Sequence, residues 1–164
     1  MLLLEDVTGV LAATSAEVAA AEDFTLGNPA SDVIRLSDHR RIWFIIVKLA
    51  GAVGTFTPTI ESCDDVSATN KTTIPHKYRL MSTNGTWGAV TRAAAAGVLV
   101  AAGANQMIII EVDAEQLVDR SGVRDQFVRM QLTETDSTAL DGCFLALLID
   151  PIYAQETPAR SWLS

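Results

Sequence analysis

Histidine and cysteine are scarce in this chain, two of each in 164 residues. A hydrolase needs a nucleophile with a base beside it, and that base is most often histidine. His39 stands in the polar turn Ser37-Asp38-His39-Arg40-Arg41, and His76 follows Pro75 in a basic strand; neither adjoins a Gly-x-Ser-x-Gly elbow or a Cys-Gly signature. No catalytic residues and no enzyme activity are therefore expected. Cys63 and Cys143 are isolated and far apart, which excludes a disulfide framework and a zinc site and leaves open one bridge between them. No apolar run approaches the ~20 residues of a membrane-spanning helix. No Gly-rich loop leads from a strand into a helix, so no phosphate cradle is expected. Asp64-Asp65 with Ser67, Thr69 and Asn70 is rich in oxygen but lacks the spacing of a calcium loop. Neither a metal nor a cofactor is expected. Basic residues are also few, 12 against 20 acids for a net charge of −8. That balance disfavours nucleic acid and anionic membranes as partners. Met1-Leu2-Leu3-Leu4-Glu5-Asp6 has no basic residue ahead of its apolar run, so a secretory signal is not expected.

What the chain does have is hydrophobic residues, 49% of the total, in short runs. A chain of this size buries roughly 70% of its unfolded surface and needs no staples. Ile42-Trp43-Phe44-Ile45-Ile46-Val47 reads as a buried central strand, and Gln106 to Val112 and Cys143 to Ile149 read as two more, the last stopped by Asp150-Pro151. Thr55 to Cys63 alternates, with Phe56, Pro58 and Ile60 on one side; Pro58 predicts an edge or a bulge. Thr73 to Met81 is a strand interrupted by Pro75, Asn84-Gly85 predicts a tight turn, and Trp87 to Thr91 a short strand. Ala93 to Gly97 is too short for a helix. Asp113 caps a single helical turn up to Leu117, and Phe127 to Thr133 alternates with Val128, Met130 and Leu132 inward. The aromatics Trp43, Phe44, Phe56, Trp87, Phe127 and Phe144 are expected to pack in the core.

Short strands at regular spacing with Gly and Asn turns give an all-β fold, an antiparallel β-sandwich or jelly roll with extended N- and C-terminal arms. Residues 1–33 form an N-terminal arm with one or two short strands, 34–150 the sandwich core, and 151–164 an extended tail whose Tyr153 and Trp162 are anchors for another surface. Charge follows the same division. Residues 1–32 hold six acids and no base, residues 35–92 are net +4, and residues 111–164 are net −6. Such blocks pair either within one fold or between copies of it.

Met1-Leu2-Leu3-Leu4-Glu5-Asp6-Val7-Thr8-Gly9, Trp43-Phe44-Ile45-Ile46 and Thr55 to Asp65 leading into Ile74-Pro75-His76-Lys77-Tyr78-Arg79 carry a family resemblance. It continues through Trp87 to Thr91, Asn105 to Ala114 and Phe127 to Thr133. The chain resembles small structural proteins encoded beside the major capsid gene of tailed bacteriophages, and its layout is similar to capsid-stabilising (cement) proteins of jelly-roll type. The resemblance implies a virion decoration protein on the capsid surface, made in the host bacterial cytoplasm, binding the major capsid protein and self-associating as a dimer or trimer. Arg35, Arg40, Arg41, Lys77 and Arg79 are the candidate capsid-facing cations, with Tyr153 and Trp162 as tail anchors; the alternative is that the cations offset acids of their own subunit. Other readings are a head-tail connector, tail or head-fibre component, and a carbohydrate-binding jelly roll, which requires Trp43 or Trp87 to be exposed.

Overall fold

Pro75 carries the chain from one sheet to the other. In the computed structural model, which describes residues 25, 27–49, 54–136, 138 and 140–152 and the backbone of 7–10, β5 (Lys71–Ile74) and β6 (His76–Met81) flank this proline and belong to different sheets. Read from sequence, 73–81 is one interrupted strand. A residue that cannot donate to a ladder suits the corner where a strand leaves one sheet for another.

The remaining strands are β1 (Val7–Val10), β2 (Ile34–Arg35), β3 (His39–Lys48), β4 (Phe56–Cys63), β7 (Thr91–Ala93), β8 (Met107–Asp113), β9 (Asp119–Arg120), β10 (Val123–Arg124), β11 (Phe127–Glu134) and β12 (Gly142–Pro151). They form a six-stranded sheet, β1-β12-β3-β8-β6-β7, a four-stranded sheet, β2-β11-β4-β5, and the small hairpin β9-β10. All pairings are antiparallel, and the fold is the expected β-sandwich. Its core joins Ile42, Phe44 and Ile46 of β3, Ile108, Ile110 and Val112 of β8 and Phe144, Ala146 and Leu148 of β12 to Phe56, Ile60, Val128, Met130 and Leu132 of the facing sheet. Burying one such side chain contributes about 1.5–3 kcal/mol. Ala146 lies directly across from Phe44, a small residue leaving room for a large one.

Several sequence expectations change at their edges. β1 is the one strand described within residues 1–33 apart from the bridge of Ala30 to Gln131, and it extends the sheet beside β12. Residues 1–6, 11–24 and 153–164 lie outside the described residues, and with them most of the expected N-terminal arm and the tail with Tyr153 and Trp162. β4 pairs with β11 along its whole length but with β5 only from Ile60 to Cys63, so Pro58 occupies a locally open edge of an interior strand. The expected strand at Trp87 shifts to Thr91–Ala93, because the turn at Gly85 brings Trp87 back as a lone bridge to Met81. β12 runs on through Pro151, which pairs with His39. The single 3₁₀ turn at Ala114–Gln116 is as expected, with the Gln116 side chain accepting from the Asp113 N–H at 2.9 Å.

Two polar groups close the sandwich. Lys48 ends the inward row of β3 and is 1% exposed; its Nζ donates to the carbonyls of Gly54 at 3.1 Å and Ala101 at 3.0 Å and stands 5.8 Å from the Phe56 ring centre. Burial pushes its pKa below the ordinary lysine value, with Asp136 opposing. Elsewhere Asp125 accepts from Ser62 Oγ at 2.7 Å and from Arg120 Nε at 2.8 Å, tying β9-β10 to β4.

Gly97 sits in the left-handed region, φ +83, and a Cβ there would collide with the Pro58 carbonyl oxygen. Gly85 has nearly the same angle, φ +81, but open space around it. Gly85→Ala is expected to cost about 1–2 kcal/mol for conformation alone, and Gly97→Ala clearly more, compared by urea unfolding of the two variants. Equal costs would mean that the contact with Pro58 does not constrain the fold.

Candidate functional site

An antiparallel sheet with one solvated face normally turns polar side chains outward. The six-stranded sheet does not. Strand register sets Leu147, Trp43, Glu111, Lys77 and Arg92 in one outward row, Leu145, Ile45, Ile109 and Arg79 in the next, and Cys143, Val47, Met107 and Met81 in a third. The apolar members of these rows on β3, β8 and β12 are half-buried, save Cys143, which is exposed. Trp43, expected in the core, stands on this outer side. Trp87 and Phe127 are likewise only half-buried, while Phe44, Phe56 and Phe144 fill the core as expected.

One end of the face is charged. Trp43 Nε1 donates to Glu111 Oε2 at 2.9 Å, and Lys77 Nζ reaches Glu111 Oε1 at 3.3 Å and Asp113 Oδ2 at 3.1 Å. Arg41 lies 3.1 Å from Asp150, 3.8 Å from Asp113 and 3.7 Å from Glu111. Hydrogen bonds to Asp113 and then Glu111 raise the Lys77 pKa above its ordinary value. Two cations of the basic middle block thus pair with acids of the C-terminal block inside one fold. Arg79 is exposed on the same face; its Nε donates to the Gly88 carbonyl at 2.7 Å and its guanidinium stacks 5.5 Å from the Trp87 ring centre. Arg35 lies instead in β2 of the other sheet, donating to Ser37 Oγ at 2.6 Å, and Arg40 is exposed at the start of β3. Of the expected cations, Arg41, Lys77 and Arg79 share a surface. Tyr153 and Trp162 lie outside the described residues.

Between Trp43, Ile109 and Glu111 on one side and Lys77, Tyr78, Arg79 and Val90 on the other runs a groove of about 240 Å³. Sequence reasoning passed over Val90, Ile109 and Glu111, and considered an exposed Trp43 only for the carbohydrate-binding alternative. The signal was there: Ile42 to Val47 and Met107 to Ile110 are apolar at both parities, so such a strand must be covered on both sides or present an apolar face to a partner.

The titratable groups weighed for chemistry are dispersed. His39 and His76 are 4% and 0% exposed, and burial lowers both pKa values, opposed by Asp38 at His39 and by the Ile74 carbonyl at His76. The Cys63 thiol is buried and pushed up to about 11, mainly by that burial, which makes it a poor nucleophile. Cys143 is exposed on the other sheet, and the two thiols are unbridged. In the Asp64–Asn70 loop, Asp65 Oδ1 accepts from the Ser67 N–H at 2.8 Å and Asp64 Oδ2 from Asn70 Nδ2 at 2.7 Å, the bonds of an ordinary turn. Among the described residues no three His, Cys, Asp or Glu side chains are grouped to hold a metal ion.

The two histidines set an acid limit. With folded pKa values below the ordinary 6.5, the unfolded chain takes up protons that the folded chain refuses. The histidine contribution to stability is therefore flat in pH above that value and falls below it, by up to about 1.4 kcal/mol per pH unit for each histidine. Urea midpoints between pH 7.5 and 5.5 are expected to show this fall, and His76→Gln to flatten its slope whatever it does to absolute stability; an unchanged slope would remove His76 from the account. Compared with family models, with curated proteins and with solved structures, the chain matches none.

Proposed function

We propose that this chain is a virion structural protein that binds the outside of a bacteriophage capsid and stabilises contacts between capsomers, a decoration or cement protein. The observation that carries the reading is the outward face of the six-stranded sheet, where Trp43, Ile45, Val47, Met107, Ile109, Leu145 and Leu147 stand in adjacent rows instead of polar residues. Contiguous apolar surface of this kind marks a contact with another macromolecule. The sequence resemblance supplies the class of partner, the major capsid protein. The mechanism is additive: each copy needs only a modest interface, because many copies act on one shell. The same rigid sandwich would serve another virion part, and the capsid surface is preferred on the resemblance alone.

The carbohydrate-binding alternative draws on one observation, that Trp43 and Trp87 stand outside the core. The groove beside Trp43 favours a protein contact over a sugar. Its walls are mostly apolar, and its carboxylate, Glu111, is already engaged by Trp43 and Lys77.

The test is to mix the purified protein with empty heads of its own virus and follow binding by mass photometry and the heads by thermal disruption. Bound copies and a higher disruption temperature are expected. Ile45→Glu, in the middle of the apolar face, is expected to weaken binding at least tenfold, about 1.4 kcal/mol, with an unchanged circular dichroism spectrum. No binding by the natural chain would overturn the reading, and full binding by Ile45→Glu would move the contact to another face.

A further inference from the structure

The groove beside Trp43 has Arg79 in its wall and Arg92 beside Lys77 in register, two cations without a carboxylate partner among the described residues. Lys77 and Arg41 are committed to Glu111, Asp113 and Asp150. Arg79 uses its Nε on a backbone carbonyl, and Arg92, on β7 directly across from Lys77 of β6, is exposed; neither forms an ion pair with a carboxylate among the described residues. Val90, in the groove wall, is 66% exposed. The groove therefore asks for an aliphatic side chain flanked by carboxylates.

The chain carries such a segment on its other sheet. Val66 is 68% exposed at the tip of the loop joining β4 to β5, directly after the exposed Asp64 and Asp65. The loop is held in shape before any contact is made: Asp65 accepts from the Ser67 N–H, Asp64 from Asn70, and Arg120 Nη2 donates to the Asn70 carbonyl at 3.4 Å. Each aspartate keeps one carboxylate oxygen outside these bonds. A preformed loop loses little conformational entropy on docking.

We infer that the Asp64-Asp65-Val66 loop of one copy docks into the Trp43–Val90 groove of the next, Val66 against Val90 and Ile109 and the two carboxylates toward Arg79 and Arg92. The loop joins two strands of the four-stranded sheet, and the groove lies on the outward side of the six-stranded one. A single copy cannot bring its own loop to its own groove. The contact is heterologous, joining two different patches, and it closes into a ring if the rotation between copies allows. It leaves the β12–β3 side of the apolar face uncovered, and it stands without the capsid reading.

Sedimentation velocity of the purified chain over a wide concentration range tests the proposal, with a tryptophan-emission titration following Trp43. The natural chain is expected to self-associate, as a closed ring or an open series of multimers, with an affinity that falls as salt is raised. Arg79→Glu and Asp65→Arg, both at exposed side chains, are each expected to weaken association at least tenfold, and the two charge reversals combined in one chain to restore much of it. Val66→Asp asks the same of the apolar part, should either charge variant fail to fold. A chain that stays monomeric throughout, association indifferent to these substitutions, or a double reversal no better than the singles would each overturn it. None of these outcomes depends on whether empty heads are bound.

Discussion

β3 is apolar on both of its faces, and the rest of the molecule is arranged around that fact. Ile42, Phe44 and Ile46 point inward and can be buried only by a second sheet, which β4 and β11 supply with Phe56, Ile60, Val128, Met130 and Leu132. Trp43, Ile45 and Val47 point the other way, and the neighbours that register sets beside them on β8 and β12 are apolar as well. One set of contacts makes the sandwich, the other makes a surface. Both follow from the same six residues, so the surface cannot be altered wholesale without rewriting a strand at the centre of the core.

Polar groups restrict this arrangement. Lys48 ends the inward row of β3 and ties two loops together through the Gly54 and Ala101 carbonyls. Asp125, with its side chain 1% exposed, is held by Ser62 and Arg120 and fixes the β9-β10 hairpin against β4. A buried charge stripped of its partners costs several kcal/mol, so these groups select one arrangement of the loops over others. On the outward face the network of Trp43, Arg41, Lys77, Glu111, Asp113 and Asp150 holds the indole in place and forms one wall of the groove. Its charges are largely matched, which leaves Arg79 and Arg92 as the cations of that region without a carboxylate partner among the described residues.

Much of this was legible in the sequence because period-two alternation reports which side chains share a face. Val128, Met130 and Leu132 inward, Arg129 and Gln131 outward, the Asn84-Gly85 turn and the single helical turn after Asp113 all follow from local rules. Alternation does not report which sheet a strand joins. Thr73 to Met81 reads as one strand, yet Pro75 divides it between sheets, a choice made by partners far away in the chain. It also fails where both parities are apolar, and Trp43 was therefore placed in the core. The ion pairs of Arg41 join residues separated by 70 to 109 positions, a distance over which charge blocks give only a direction of attraction.

The central claim is that the outward face of the six-stranded sheet is a contact surface. Hydroxyl-radical footprinting with mass-spectrometric readout measures it residue by residue, on the free protein and on the protein bound to empty heads. The account predicts strong labelling of Trp43, Met107, Ile109 and Leu145 in the dilute free chain and their protection in the bound one, with Phe44, Ile110 and Met130 protected throughout. Equal labelling of the outward residues in both states, or protection confined to the four-stranded sheet, would contradict it.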